Sequence, residues 1–147
     1  MPKLQPPFYF FLCLIISIIL HFIIPIYLLI TVPYNYFGLI LIIIGSLITV
    51  WADWLFKQAK TTVKPGQQSN LLVIKGPYKI SRNPMYLGML MILLGISFIL
   101  GTLIAFLSPV IFYLIMQFIF IPLEEKMLQQ KFNQQFLNYK KQTRRWL

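Results

Sequence analysis

The chain predicts an all-α fold: a polytopic membrane bundle of about four transmembrane helices, followed by an amphipathic helix. Three observations lead there. Its hydrophobic runs are long enough to cross a bilayer, its basic residues are confined to the segments between those runs, and no strand-helix alternation is visible. Hydrophobic residues make up 59% of the 147 and charged residues 11%, far from the averages of soluble globular proteins. Lipid, rather than water, is the solvent this composition suits.

The first run, 8–30, matches the roughly 20 apolar residues a spanning helix needs. It exceeds the apolar core of about 7 to 15 residues of a secretory signal, and "TVPYNY" after it offers no small-x-small cleavage site. It is therefore expected to remain as a helix. Its one cysteine, Cys13, is the only cysteine of the chain, which excludes an internal disulfide and a cysteine-rich metal site. A second span is expected over 37–56.

Charge placement orients the bundle. All thirteen Lys and Arg lie at Lys3, between Lys57 and Arg82, or between Lys126 and Arg145. Under the positive-inside rule these three regions share the cytoplasmic side, so the crossings between them come in pairs and both termini are expected to be cytoplasmic. The remaining apolar run, 85–121, would measure roughly 55 Å as one helix, nearly twice a hydrocarbon core of about 30 Å. It must fold back at Gly101 or at Ser108-Pro109, which gives spans over 85–100 and 102–121.

A net charge of +10 brings nucleic acid to mind, but such partners call for a basic face on a soluble fold. Here the cations sit beside membrane spans, where anionic headgroups attract them by about 1 kcal/mol each. Membrane lipids are the expected partners, with no nucleic acid and no obligate protein partner. Trp51, Trp54, Tyr34 and Tyr36 fit interfacial aromatic belts. Beyond Pro122, Leu128, Phe132 and Phe136 recur every fourth residue and Tyr139 follows, so 123–141 reads as an amphipathic cytoplasmic helix. Gly38 and Gly45, and likewise Gly88 and Gly95, are seven apart and suit close helix packing. The whole is read as a single domain.

Two polar clusters flank the hairpin of the last two spans. In "KGPYKISRNPMYLG", Gly76-Pro77 breaks any helix, Asn83 is biased away from helical geometry, and Pro84 suits a first helical turn. A structural reading makes Asn83 an N-cap, with Arg82 snorkelling to headgroups. At the other end stand Glu124 and Glu125, two of only three acidic residues. A structural reading has them stabilising a helix start by about 0.3 to 1 kcal/mol through its dipole. If the hairpin closes, however, both clusters lie at one depth and form one polar pocket.

"GPYKISRNPMYLG" and, some 35 residues later, "PLEEKMLQQKFNQQFLNYKKQTRRWL" together resemble the isoprenylcysteine carboxyl methyltransferases and their phospholipid N-methyltransferase relatives. That family carries G-x-Y, R-H-P-x-Y-x-G and a paired E-E with downstream aromatic positions. The resemblance covers 75–147; the first two spans match only in hydrophobic character. It implies an integral-membrane enzyme that moves a methyl group from S-adenosylmethionine to a lipophilic small molecule or lipidated substrate, without a metal. The absence of G-x-G-x-x-G agrees, since the usual nucleotide-binding sheet is unavailable. Carried over residue by residue, the resemblance puts Gly76, Tyr78, Arg82, Asn83, Pro84, Tyr86, Leu87, Gly88, Glu124 and Glu125 around the cofactor. Arg82, Glu124 and Glu125 are the catalytic candidates, and Tyr139 and Arg145 are candidates on the acceptor side.

Two departures matter. Asn83 replaces the family's histidine, and an amide does not change charge near neutrality. The arginine that often precedes the glutamate pair in enzymes binding an acceptor carboxylate is missing, because Phe120 and its neighbours are apolar. An amine acceptor would have to lose a proton, which a nearby Glu can take. Outside the two clusters, Asp53 stands four before Lys57, the favourable order for a helical pair. His21, inside a span, raises a functional question, with a neutral histidine bonded to a neighbouring helix as the structural reading. Arg144, Arg145 and Trp146 read as an interfacial anchor. A non-enzymatic four-helix scaffold or subunit would explain the topology but leave the two polar clusters unrelated. A small transporter would place its polar groups nearer the bilayer midplane.

Overall fold

The computed structural model describes residues 5–24, 27–59 and 71–147. Their elements are α1 (Pro6–Ile23), α2 (Phe37–Gln58), α3 (Pro84–Leu100), α4 (Leu107–Ile115) and α5 (Ile121–Gln142), with a π-helical segment, Met116–Phe120, joining the last two. Short 3-10 turns precede α2, α3 and α4. Among the described residues there is no strand, only two isolated bridges. The all-α bundle is as expected. By length and composition Pro6–Ile23, Tyr34–Gln58 and Leu103–Gln142 suffice to cross a membrane, and α3 is an apolar helix of 17 residues.

The first helix is shorter than the 8–30 its hydrophobicity suggests. It ends at Ile23, and Ile24 adopts φ −132°, ψ 74°, because the residue before a proline is driven out of helical geometry. The chain beyond is tied to the far turn of the hairpin: the Leu29 and Ile30 N–H groups donate to the Gly101 carbonyl at 2.7 and 3.1 Å. Of the two turn positions left open by the sequence, Gly101 is the one used. It caps α3 with φ +70°, a left-handed conformation glycine adopts without a Cβ penalty.

Packing follows the small residues. The buried residues of α2 are Gly38, Gly45 and Ala52, seven apart on one face, and α2 lies against α3 in the most extensive helix pairing of the molecule. Gly38 meets Gly95 and Gly45 meets Gly88, so closely that a methyl group on any of the four would overlap the facing backbone. The opposite face of α2 exposes Leu39, Ile43, Leu47 and Val50, as lipid contact requires. The core lies on the other side of α3, where Phe10, Cys13, Tyr86, Leu93, Phe112, Met116, Phe120 and Ile121 form one cluster.

The last span and the expected cytoplasmic helix are not separate. Helical structure runs from Leu107 to Gln142 through the π segment, whose closing N–H, from Ile121, reaches back to Met116 O. Pro122 lies directly beyond and has no N–H to give, so the local change of hydrogen-bond register accommodates it within a continuing rod. Glu124 and Glu125 therefore do not sit at a free helix start, and the dipole reading of the pair falls. The rod kinks at Asn133 (φ 45°, ψ −116°). Beyond the kink Phe136 and Tyr139 are buried, while Leu128 and Phe132 are half-buried, so the apolar stripe faces the bundle most fully at its far end.

Candidate functional site

Hairpin closure brings the two polar clusters together. Pro84 at the first position of α3 leaves Arg82 and Asn83 in the loop just before the helix, and Tyr86 one turn inside it. The rod carries Glu124 and Glu125 past them. Arg82 Nη2 donates to Glu125 Oε1 at 2.9 Å, and the two side chains are only 9% and 10% exposed. Tyr86 donates its hydroxyl to Glu124 Oε1. Arg82 therefore does not snorkel to headgroups; it is buried on a carboxylate.

The two glutamates differ in their company. Glu125 receives Arg82, then Arg145 through Nε to Oε1 at 3.2 Å and Nη2 to Oε2 at 2.9 Å, and Lys140 Nζ lies 3.5 Å from Oε2. The paired guanidinium groups favour the charged form of this carboxylate. Glu124 takes part in no ion pair among the described residues; Tyr86 is its hydrogen-bond partner. Arg82 Nε is buried without an acceptor, although its Nη1 reaches Thr143 O and, at 3.1 Å, Lys140 O. A buried donor lacking an acceptor is a costly arrangement.

The end of the chain closes the site from a third side. Arg82 N–H donates to Arg144 O at 2.9 Å, Asn83 Nδ2 to Arg145 O at 3.0 Å, and Ser81 Oγ to Arg145 O at 3.3 Å. Ser81 and Arg144 form a parallel bridge. Asn83 occupies the N-cap position, yet its side chain makes no cap hydrogen bond; it holds the tail instead. Trp146 Nε1 donates to Gln117 Oε1 in the π segment at 2.8 Å. These backbone contacts left no periodic signal in the sequence, and Gln117, the lone amide of the last apolar run, was the available clue to them.

The other candidate residues divide. Tyr78 is buried edge-on against Phe56 of α2, ring centroids 5.2 Å apart, and its carbonyl accepts the Tyr139 hydroxyl at 2.6 Å. Burial pushes the Tyr78 phenol up, with Tyr139 next in effect, so it stays neutral. Pro84 and Leu87 are buried in the first turn of α3. Gly88 lies in the glycine seam facing Gly45 and Thr49 of α2, where the sequence spacing also placed it. Gly76, with φ +59°, lies against Leu55 and Trp51. Arg145 sits on Glu125, and Tyr139 braces the Tyr78 loop.

Two residues outside the site take their structural readings. Asp53 pairs with Lys57 at 2.5 Å. His21 Nδ1 lies 3.0 Å from Thr102 Oγ1 in the hairpin turn. No group of three or more potential metal ligands occurs among the described residues.

Comparison with known proteins gives a consistent context. An uncharacterized protein of Haemophilus influenzae is 41% identical over 63 residues, which are 43% of this chain and the full length of that relative. No solved structure matches. The sequence profile of the phospholipid methyltransferase family matches residues 34–135, so it takes in α2, beyond the reach of the motif resemblance, together with Arg82, Tyr86 and both glutamates. Through that match over more than half its length, the chain belongs to the phospholipid methyltransferase family of membrane methyltransferases.

Proposed function

We propose that the protein is an S-adenosylmethionine-dependent methyltransferase acting on a lipophilic acceptor at the basic end of its bundle. One observation carries the reading: on two successive residues of the rod, Glu125 holds Arg82, whose buried Nε–H lacks an acceptor, while Glu124 is bonded to Tyr86 and takes part in no ion pair among the described residues. The amino-acid end of the cofactor is a zwitterion, and its carboxylate and ammonium match that donor and that acceptor. When bound, the cofactor supplies a methyl group on a sulfonium whose sulfur departs as a neutral thioether.

The chain's own residues have positioning work to do. Arg82 and Glu124 orient the charged groups of the ligand, and the Arg145 and Arg82 clamp keeps Glu125 from competing for them. Tyr86 fixes the carboxylate of Glu124 while its ring joins the apolar core. Alignment of nucleophile and methyl group supplies most of the rate advantage such a transfer needs. An acceptor with a long apolar tail reaches this end from the bilayer.

Of the two acceptor chemistries, carboxylate O-methylation as in the prenylcysteine enzymes and amine N-methylation as in the phospholipid enzymes, the site favours the amine. The buried Arg82 and the half-buried Arg145 are both engaged with Glu125, and Phe120 and Ile121 just before the glutamates are buried apolar residues. Among the described residues, both arginines that reach the glutamate pair are therefore already committed to a carboxylate. Glu124 has a lone pair to take the proton an ammonium group must lose before its nitrogen attacks.

Calorimetry on the purified protein in detergent tests the reading. S-adenosylmethionine is expected to bind, and Glu124→Gln to weaken it about tenfold or more, the worth of one charge-assisted hydrogen bond. An absence of binding at millimolar cofactor overturns the proposal. Labelled cofactor offered with aminophospholipids and, separately, with prenylcysteine analogues then identifies the acceptor chemistry.

A further inference from the structure

Gln117 is the only side-chain amide between Leu103 and Ile121, and it lies in the π-helical segment. Such segments are frequent at functional sites, and polar side chains inside spans are rare without a task. Its Oε1 accepts the Trp146 indole N–H at 2.8 Å. The Trp146 ring lies 5.1 Å from that of Tyr113 and packs on the cluster that contains Tyr86. The residue before it, Arg145, donates two guanidinium hydrogen bonds to Glu125. The segment is short and non-helical: Thr143 is extended, φ −131°, ψ 136°. One end of this tether is thus pinned inside the apolar span, and its neighbour grips the buried carboxylate.

We propose that Gln117 is a positioning residue for the carboxylate pair, acting through Trp146 and Arg145 to hold Glu125 against Arg82. The inference rests on the reading that this pair binds the cofactor. Stability alone does not account for the amide, because hydrogen bonds inside membranes are on average worth little and an apolar side chain would suit the span. Arg145 carries a long flexible side chain; anchoring the adjacent indole restricts where its guanidinium can go. Without the pin, Glu125 becomes free to draw on Arg82, and the donor left for the ligand is no longer held in place.

The test uses the full chain and S-adenosylmethionine itself. Gln117→Met and Trp146→Phe each keep the bulk and remove one partner of the hydrogen bond. Each is expected to weaken cofactor binding about threefold to tenfold, the effect of one hydrogen bond. The double variant is expected to be no weaker than the worse single one, since both break the same link. Gln117→Glu, which keeps an oxygen for the indole, is expected to bind as the parent does. Unchanged affinity in Gln117→Met, or losses that add in the double variant, overturns the proposal. Trypsin cleavage at Arg144, measured without cofactor, reads the tether independently and is expected to be several times faster in Gln117→Met. Equal cleavage rates refute the tether even if the parent protein binds no cofactor, a result that would reject the proposed function separately. Faster cleavage with unchanged affinity reduces Gln117 to a structural part.

Discussion

The two ends of α3 are both polar and buried, and they are built on opposite plans. At the Leu100 end, hydroxyl groups converge on one carbonyl, and the buried atom left without a partner in the turn before α2 is an uncharged amide oxygen, Asn35 Oδ1. Ser17, Ser97 and Ser108 all donate to the Ala105 carbonyl, at 3.3, 2.8 and 3.2 Å, and His21 pairs with Thr102. At the Pro84 end, charged groups meet and a donor and a carboxylate oxygen remain unused. Hydroxyl-to-carbonyl hydrogen bonds staple helices together at modest energy per bond. A charged set with groups to spare is expensive in an apolar setting unless a ligand completes it.

That contrast can be broken by mutation. The largest effect is expected at Glu125→Gln, which strands the buried Arg82 guanidinium and the half-buried one of Arg145. Breaking such a network by removing one partner costs about 3 to 5 kcal/mol, read as a steep fall of thermal midpoint in detergent, with cofactor affinity lost alongside. Glu124→Gln, by comparison, is expected to lose cofactor affinity with its melting temperature nearly unchanged, because no ion pair goes with it. Next in size is Gly88→Ala, where the new methyl overlaps the backbone of α2. Overpacking of this kind costs about 1 to 3 kcal/mol and is expected to lower stability while leaving the affinity of the folded fraction near that of the parent. The smallest is Ser97→Ala. The Ala105 carbonyl keeps two other donors, so the loss is expected at about 1 kcal/mol or below, with unchanged cofactor binding; a change in affinity there would dissolve the distinction between the ends.

Much of this fold was legible in the sequence because lipid makes the code simple. Apolar length announced the helices, the heptad spacing of Gly38, Gly45, Gly88 and Gly95 announced the seam they form, and Gly101 was one of the two turn positions the sequence offered. The meeting of Arg82 with Glu125 followed from the hairpin once its length exceeded one bilayer. What stayed hidden depended on backbone geometry. Nothing in side-chain pattern marks a tail whose carbonyls at Arg144 and Arg145 receive Arg82 and Asn83. Apolar character likewise did not reveal that α1 stops at Ile23, since hydrophobicity continues where the helix does not. Two adjacent glutamates look alike in a sequence, and only their directions on the rod separate the clamped one from the one in Tyr86's company.

The helical rod from Leu107 to its kink at Asn133 carries both glutamates and ties their position to the bilayer around it. A carboxylate mounted on a loop keeps its place when a bilayer thins or thickens. One mounted on a stiff spanning helix is carried up or down with that helix, since mismatch between helix and hydrocarbon is relieved by tilt. Acyl-chain length would in this way set the height of Glu124 relative to the headgroup plane, and vesicles of graded lipid thickness would tune turnover without any effector binding.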